Sequence, residues 1–140
     1  MWKITYLIRG KLFYIKSKGK YMRYYNGYNI ELHYDRESWV IVESVSAKKE
    51  FEDGSWDIIF GYFEHEVIDQ IQNRTDDDII MNHYNVISRK SESYVEESLQ
   101  YYQKGNIQQA INVLNQNFDK IQSKRWTESL IKHLNRLKTI

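Results

Sequence analysis

The stretch KLFYIKSKGKYMRYYNGYNIEL, residues 11–32, decides the fold of the N-terminal region because it carries the clearest turn signal of the chain. The dipeptide Asn26-Gly27 stands between runs of aromatic and β-branched residues. Asn-Gly favours a two-residue hairpin turn, since both central residues of that turn adopt a positive φ that few other residues tolerate. Such a turn places Tyr25 opposite Tyr28. The stretch therefore predicts consecutive antiparallel strands.

Alternating residues extend this sheet in both directions along the chain. Residues 2–8 and 28–34 largely alternate apolar and polar side chains, with the two-residue period of a half-buried strand. The run WVIVESV at 39–45 is rich in β-branched residues, which is typical of a central strand. We therefore expect an antiparallel meander of four to five strands within the first 46 residues.

The apolar period changes after residue 55. Apolar positions between Trp56 and Ile71 follow helical spacing, with Ser55 as the N-cap. This pattern predicts a helix over residues 56–72 that covers the sheet. The next apolar segment, IIMNHYNVIS at 79–88, fits both a helix and a strand, and the sequence leaves the two open.

From residue 91 the pattern is helical to the end of the chain. Two helices meet at Gly105, a residue suited to the left-handed conformation that ends a helix, and a last helix follows at about 124–138. The sequence thus predicts an α+β fold. Its three parts are a β-rich region with a covering helix at 1–73, a connecting segment at 74–90, and a helical hairpin with a capping helix at 91–140.

The helical hairpin resembles a known repeat. The segment YYQKGNIQQAINVLNQ, residues 101–116, resembles the middle of a tetratricopeptide repeat, whose two helices pack large against small residues across a short turn. The matching positions are Tyr94, Ser98, Tyr101, Tyr102, Gly105, Ile107, Ala110 and Leu114. Asn117 departs from the pattern, and no proline ends the unit. The resemblance covers residues 91–121 and implies a packed helical hairpin with a protein-binding role.

The amino-acid composition limits the classes of protein to which this chain can belong. The 140 residues include no cysteine, which excludes disulfides, thiolate nucleophiles and cysteine metal sites. No run approaches the ~20 apolar residues of a membrane span. The N-terminal residues also lack the continuous apolar segment of a signal peptide. We therefore expect a cytoplasmic protein that does not enter a membrane.

Sequence motifs for catalysis and for cofactors are absent. The chain contains no GxSxG, no phosphate-binding GxxxxGK[ST] and no GxGxxG. Its histidines are scattered. Asp76, Asp77 and Asp78 could hold a divalent cation, although three acids in the first turn of a helix need no metal. His65 and Asp69 have a spacing that could begin a metal site. The same spacing suits a solvated helix face, which is the simpler interpretation. We expect no catalytic residue, no metal site and no cofactor.

The net charge of +1 hides a strong segregation along the chain. Residues 1–30 carry seven basic residues and no acidic one, residues 31–80 four basic and fourteen acidic, and residues 81–140 nine basic and five acidic. The acidic middle either pairs with the basic hairpin inside the fold or faces a basic partner. The candidate partner-binding residues of this acidic surface are Glu64, Glu66, Asp69, Asp76, Asp77 and Asp78.

The basic first strands offer a second candidate surface. A short connection at SKGK, residues 17–20, pairs Lys16 with Tyr21. One face of the hairpins then carries Tyr14, Lys16, Tyr21, Arg23, Tyr25 and Tyr28, and the other carries Phe13, Ile15, Met22 and Tyr24, which would pack on a core. Because aromatic rings stack on bases and basic side chains neutralise phosphates, the first face is a candidate nucleic-acid-binding face. The same register also places Ile30 and Leu32 on this face, which conflicts with a face that is wholly exposed to solvent.

These features favour a small non-enzymatic binding or regulatory protein, an inhibitor or adaptor, that contacts a protein partner through its acidic surface. A homo-oligomer is a further way to cover the apolar surface that a single repeat-like unit leaves exposed. The alternative is a nucleic-acid-binding protein that uses the Tyr/Lys/Arg-rich face. A small enzyme acting on nucleic acid is the third interpretation.

Overall fold

The computed structural model describes residues 7–8, 11–12, 15–17, 20–34, 42–90 and 92–138, with side chains at 24–33, 44–89 and 92–138. The chain forms two compact units. Unit 1 comprises residues 1–50 and 56–74, and unit 2 comprises residues 51–55 and 75–140. The first unit is built on β-strands and the second on helices, so the predicted α+β fold is confirmed.

Unit 1 contains all the strands found in the described part of the chain. Their bounds are β1 Leu7–Ile8, β2 Lys11–Leu12, β3 Ile15–Ser17, β4 Lys20–Tyr25, β5 Tyr28–Tyr34, β6 Val42–Glu50 and β7 Trp56–Gly61. Strands β3 to β7 form a five-stranded sheet in which each strand pairs antiparallel with its sequence neighbour, and β1 pairs with β2 separately. The prediction of an antiparallel meander is therefore confirmed.

The Asn-Gly turn sets the register of this sheet. Asn26 has a φ of 50° and Gly27 a φ of 83°, as the two-residue hairpin turn requires. Tyr25 accordingly lies opposite Tyr28, and the predicted pair of Lys16 with Tyr21 is also present. Local turn chemistry is therefore enough to place the pairing of three strands.

The core of unit 1 lies between one face of the sheet and helix α1, Glu64–Gln72. Its buried members are Tyr25, Tyr28, Ile30, Leu32, Val45, Ala47, Ile59, Val67 and Ile71. The last two come from α1, so a helix covers the sheet as predicted. The predicted start of that helix is wrong, because residues 56–61 form strand β7 and α1 begins only at Glu64.

The error at residues 56–61 has a clear origin. Helical spacing would turn Ile59, Phe60 and Phe63 toward one core, whereas pairing with β6 turns Ile59 inward and Phe60 outward. Ser55 is consequently not a helix N-cap; it lies in the connection before β7. Strand pairing with β6 is a non-local interaction that a local apolar period does not reveal.

Unit 2 is helical. Its helices are α2 Asp76–Ile87, α3 Ser93–Gln103, α4 Ile107–Gln116 and α5 Lys124–Lys138. The segment 79–88, which the sequence leaves open between helix and strand, therefore lies in α2 apart from its last residue. Thr75 caps α2 through a capping box with Asp78, in which each side chain accepts from the other residue's backbone N–H.

Buried residues of all four helices, together with Ile121 between α4 and α5, form one core in unit 2. They are Ile80, Tyr84, Ile87, Val95, Ala110, Ile111, Leu114, Ile121, Leu130 and Leu134. Helices α3 and α4 pack against each other and are joined at Gly105, whose φ of 83° is the predicted left-handed conformation. The relation to tetratricopeptide repeats stays a resemblance of sequence.

Candidate interaction surface

Three large aromatic side chains are exposed where β7 ends and α1 begins. Phe60 is 72% exposed, Tyr62 76% and Phe63 60%. Four consecutive residues span at most about 11 Å between their outer Cα atoms, so the three residues lie close together along the chain. We call these three residues the aromatic patch. Exposed aromatic side chains grouped in this way mark interaction sites on soluble proteins.

Local structure explains why the patch faces solvent. Ile59 points into the core, so the alternation of the strand turns Phe60 to the opposite face. Gly61 then passes close to α1, because a Cβ atom at this position would lie 2.9 Å from Cγ2 of the buried Val67. The chain therefore has no room for a side chain at Gly61 on the side that faces α1.

The N-terminus of α1 departs from the usual preference for a polar cap. Phe63 occupies the N-cap position with extended backbone, and its side chain makes no capping hydrogen bond. Ser, Thr, Asp or Asn at an N-cap stabilises a helix by ~1 kcal/mol relative to an apolar residue. Residues that break a local rule in this way are expected at functional positions.

A cavity of about 480 Å³ adjoins the patch. Tyr62 and Phe63 of the patch line it together with Leu32, Val45, Glu64, His65 and Ile68. Leu32 and Val45 belong to the core of unit 1, so the cavity reaches down to that core. Among the described residues, the lining combines apolar surface with two aromatic rings, one carboxylate and one imidazole.

Helix α1 gives this region a negative charge. It carries Glu64, Glu66 and Asp69 and contains no lysine or arginine. The ring of His65 stacks on Phe63, with centroids 5.7 Å apart and an interplanar angle of 19°. The aromatic patch is therefore bordered by acidic side chains.

A buried ion pair fixes both ends of the segment that bears the patch. The carboxylate of Asp57 on β7 is fully buried and accepts hydrogen bonds from Arg74 Nε at 2.9 Å and Nη2 at 2.8 Å. Arg74 follows α1, so this bidentate pair closes the segment from β7 to the end of α1. Tyr28 of β5 donates its hydroxyl to the same carboxylate at 2.5 Å. Burial, followed by this hydrogen bond to Asp57, raises the pKa of Tyr28 well above its usual range.

The six predicted acidic residues fall into two groups in different units. Glu64, Glu66 and Asp69 lie on α1 beside the aromatic patch, and Asp76, Asp77 and Asp78 form the first turn of α2. The second group has structural partners. Asp78 completes the capping box, and Asp77 accepts a hydrogen bond from the Tyr102 hydroxyl at 2.5 Å. The structure thus associates only the α1 group with an exposed apolar surface.

The candidate nucleic-acid-binding face is incorrect at two of its six positions. Tyr25 is 7% exposed and Tyr28 3%, because both belong to the core of unit 1 and cannot stack on bases. Lys16, Tyr21 and Arg23 are described by their backbone alone, and Tyr14 lies outside the described residues. In the backbone register, Arg23 pairs with the buried Ile30 and Tyr21 with the buried Leu32.

At Tyr24, Tyr25 and Tyr28, the three positions whose side chains are described, the two faces of the hairpins are the reverse of the prediction, and Phe13 lies outside the described residues. Tyr24, predicted to pack on a core, is 48% exposed on the face away from α1. Turn residues determine the register, but which face is covered depends on where α1 packs.

A buried serine–histidine pair in unit 2 has no signal in the sequence. Nε2 of His83 lies 2.8 Å from the Ser129 hydroxyl, and Nδ1 lies 2.8 Å from the carbonyl oxygen of Ile79. This is the arrangement of an oriented base beside a hydroxyl nucleophile. However, both side chains are almost completely buried, so a substrate cannot reach them. The pair satisfies polar groups between α2 and α5.

A second polar cluster in unit 2 joins α5 to the connection at 51–55. Arg136 donates to Asp53 at 2.8 Å and to the Ser55 hydroxyl at 3.0 Å, and its guanidinium lies 4.3 Å from the ring centroid of Phe51. Partial burial raises the pKa of Asp53, but the hydrogen bonds from Ser55 and the charge of Arg136 outweigh it and lower that pKa overall. The cluster holds residues 51–55 against the helices of unit 2.

Over the described residues, no group of three or more His, Asp or Glu side chains is arranged to hold a metal ion. Within the same ranges, no helix combines the length and apolar character that crossing a membrane requires. Comparison of the chain with protein families, with curated proteins and with solved structures gives no match.

The sequence does contain a signal for the aromatic patch. Phe60, Tyr62 and Phe63 are three aromatic residues within four positions, more than one helix face or one strand face can bury. An analysis of apolar periodicity alone assigns every aromatic residue to the core. It therefore does not reveal that these three are more than one face can bury.

Proposed function

We propose that the protein is a small non-enzymatic binding or regulatory protein that contacts a basic, partly apolar protein segment through the aromatic patch and the acidic side chains of α1. The observation that carries this proposal is the exposure of Phe60, Tyr62 and Phe63, each at least 60% exposed, on a segment that the Asp57–Arg74 pair fixes at both ends. Aromatic residues dominate the binding energy of protein interfaces, because they bury a large area with few rotatable bonds.

Charge indicates the chemistry of the partner. Glu66 and Asp69 are exposed on α1, and together with Glu64 they leave the helix with three acidic and no Lys or Arg residues. This arrangement attracts a basic partner and repels nucleic-acid phosphates. It therefore favours a protein partner over the nucleic-acid alternative.

Selection from a random-peptide display library tests the proposal even when the natural partner is not identified. We expect the enriched peptides to combine Lys or Arg with apolar residues, and to bind more weakly as salt is raised. The variant Phe60→Ser/Tyr62→Ser removes two exposed rings and leaves the core unchanged. Loss of two aromatic hot-spot residues should weaken binding of the enriched peptides at least ~30-fold, which corresponds to ~2 kcal/mol.

Tyr24→Ser is the matched control, since Tyr24 is an exposed aromatic residue of unit 1 outside the patch. It should bind the enriched peptides as the unaltered protein does. Equal binding by the double variant, or enrichment of acidic peptides, would rule out the proposed surface.

A further inference from the structure

We propose that His133 and Arg136 of α5 form a pH-sensitive latch, which holds the connection at residues 51–55 on α5 at neutral pH and releases it in mild acid. The latch does not depend on the aromatic patch. Its basis is a buried imidazole that has to stay neutral in order to bind the arginine that holds the connection.

Arg136 is the side chain that holds the connection. Its Nη1 atom donates to Asp53 at 2.8 Å and to the Ser55 hydroxyl at 3.0 Å, and its guanidinium lies 4.3 Å from the ring centroid of Phe51. The other terminal nitrogen, Nη2, contacts Nδ1 of His133. Arg136 therefore links the connection to the imidazole of His133.

The contact between Arg136 and His133 requires a neutral imidazole. A guanidinium group only donates hydrogen bonds, so Nδ1 of His133 has to accept with its lone pair. A proton on Nδ1 would instead set two N–H donors and two positive charges against each other. Because His133 is only 2% exposed, water screens this repulsion poorly. A protonated Nδ1 and the contact with Arg136 therefore exclude each other.

Neighbouring rings hold His133 in place while Arg136 has room to move. The centroid of the His133 ring lies 5.1 Å from that of Phe51 and 4.9 Å from that of His83, both in edge-to-face geometry. The side chain of Arg136, by contrast, is 36% exposed, and its charged end can turn into solvent. The repulsion is thus relieved by movement of Arg136, which breaks its contacts with Asp53 and Ser55.

The other charges near His133 come from three elements, and most of them are positive. On α5, the charged residues within four positions of His133 are Lys132 and Arg136. Helix α2 contributes His83, and its aspartates lie in its first turn, more than one helical turn earlier. The connection contributes the exposed Glu52 and also Asp53, which Arg136 already binds. Helix α4, which also packs on α5, has no titratable residue.

His83 is the second imidazole that can take up a proton, but it is not part of the latch. Its Nδ1 donates to the carbonyl oxygen of Ile79, and its Nε2 accepts from the Ser129 hydroxyl, each at 2.8 Å. A hydroxyl oxygen can accept as well as donate, so a proton on Nε2 leaves both contacts of His83 in place. Titration of His83 alone therefore does not release Arg136.

The pH range of the transition follows from the neutral form of His133. A free histidine protonates near about pH 6.5, so the latch is complete above that pH and is lost as the pH falls below it. The docking equilibrium constant of the connection should fall by up to about tenfold per pH unit, the limit for one proton. Although partial burial acts to raise it, hydrogen bonds from Ser55 and the charge of Arg136 keep the pKa of Asp53 below its usual range. Asp53 therefore stays charged throughout this transition.

NMR of the full chain between about pH 7.5 and pH 5 tests the latch, since histidine titrates in this range. Ring Cε1–H signals of His133 and His83 report the protonation of each imidazole separately, although two rings this close titrate as a coupled pair. Backbone amide signals of residues 51–55 report docking. We expect these amide signals to shift with the same midpoint as the His133 ring.

Two variants connect the response to the latch. His133→Asn offers Arg136 an amide oxygen that accepts without titrating, so the connection should stay docked over the whole pH range. Arg136→Met alters a partly exposed side chain and keeps the fold testable if the buried substitution does not. Its amide signals for residues 51–55 should resemble the acid form already at neutral pH, and its His133 should protonate at a higher pH. His65→Asn changes an exposed histidine of α1 as the matched control and should leave the response unaltered.

Three results would overturn the latch. The first is the absence of any shift of the 51–55 amides between those pH values. The second is a shift that follows the ring of His83 rather than that of His133. The third is an unchanged pH response of the connection in Arg136→Met.

Discussion

Replacing Arg74 with leucine tests whether the buried ion pair holds the patch-bearing segment in place. The substitution removes both hydrogen bonds from the guanidinium to the fully buried carboxylate of Asp57. Only the Tyr28 hydroxyl then remains among the partners described for that carboxylate. The side chain of Arg74 is itself only 11% exposed, so solvent does not replace the lost contacts readily.

The expected magnitude is large. Removing one member of a buried pair costs about 3–5 kcal/mol, because the other charge is left in a poorly solvated place. A domain of ordinary stability has only about 5–15 kcal/mol in total. Arg74→Leu should therefore raise the unfolding equilibrium constant of unit 1 by roughly 10² to 10⁴.

A double variant identifies the cause. Asp57→Val/Arg74→Leu removes both charges and places a β-branched residue in strand β7, where such residues are favoured. It should lose less stability than the sum of the two single variants, with a coupling energy of about 2–3 kcal/mol. Tyr28→Phe, which removes one hydrogen bond to a charged group, should cost about 1.5–3 kcal/mol.

Native-state amide hydrogen exchange measured by NMR is the appropriate assay, because the chain has two units and a single unfolding transition cannot be assumed. Amides of Ile30, Leu32 and Val45 report on the core of unit 1, and those of α5 report on unit 2. Arg89→Leu changes an exposed arginine and should alter stability by less than about 0.5 kcal/mol. Additive effects of the two single variants, or a loss below about 1 kcal/mol for Arg74→Leu, would refute the proposed role of the pair.

Three further substitutions test separate features. Gly61→Ala should destabilise unit 1 and shift the NMR signals of the aromatic patch, because its Cβ would lie 2.9 Å from Val67 Cγ2; unchanged spectra would contradict the close approach. Gly105→Ala should lower the free energy of unfolding of unit 2 in urea by about 1 kcal/mol, because φ at this position is 83°. No heavy atom lies within 4 Å of the added Cβ, so the cost comes from the backbone conformation alone. Gly105→Asn should cost less, since asparagine tolerates this conformation better than alanine. Burial raises the pKa of Tyr84 to about 12, while its hydrogen bond with Ser98 lowers it by less. The neutral phenol therefore contributes stability that is complete below about pH 10 and is lost as the pH rises toward 12. Tyr84→Phe should lessen this alkaline loss, by up to about 3 kcal/mol, in thermal unfolding of unit 2 across that range; an identical pH profile would show that Tyr84 does not cause it.

Those parts of the fold that depend on neighbouring residues are predictable from sequence. Asn26-Gly27 sets the register of β4 and β5, and Gly105 sets the end of α3, because each needs a positive φ that its own residue type permits. Thr75 with Asp78 likewise marks the start of α2. In each case the deciding interaction spans only a few residues.

Features that depend on distant contacts are not predictable in the same way. The strand at 56–61 forms because β6 pairs with it, and the buried face of the sheet is set by Val67 and Ile71 of α1. Asp57 and Arg74 are 17 residues apart, and no local pattern indicates that a strand acid and a residue after a helix form a buried pair. The candidate site depends on all three of these contacts. The charge distribution along the sequence therefore identifies its acidic residues, but apolar periodicity does not identify the aromatic patch.

The aromatic patch is better explained by binding than by stability. Phe60, Tyr62 and Phe63 each leave apolar surface in water that would contribute about 1.5–3 kcal/mol if buried, and Phe63 also leaves α1 without a side-chain cap. Meanwhile the same segment has the strongest polar restraint described in unit 1, the bidentate pair of Asp57 with Arg74. A segment that is held rigidly while its largest side chains stay exposed has already lost the conformational entropy that binding would otherwise require. Burial of the three rings by a partner would therefore contribute to affinity with little ordering cost, and this combination supports a preformed contact surface.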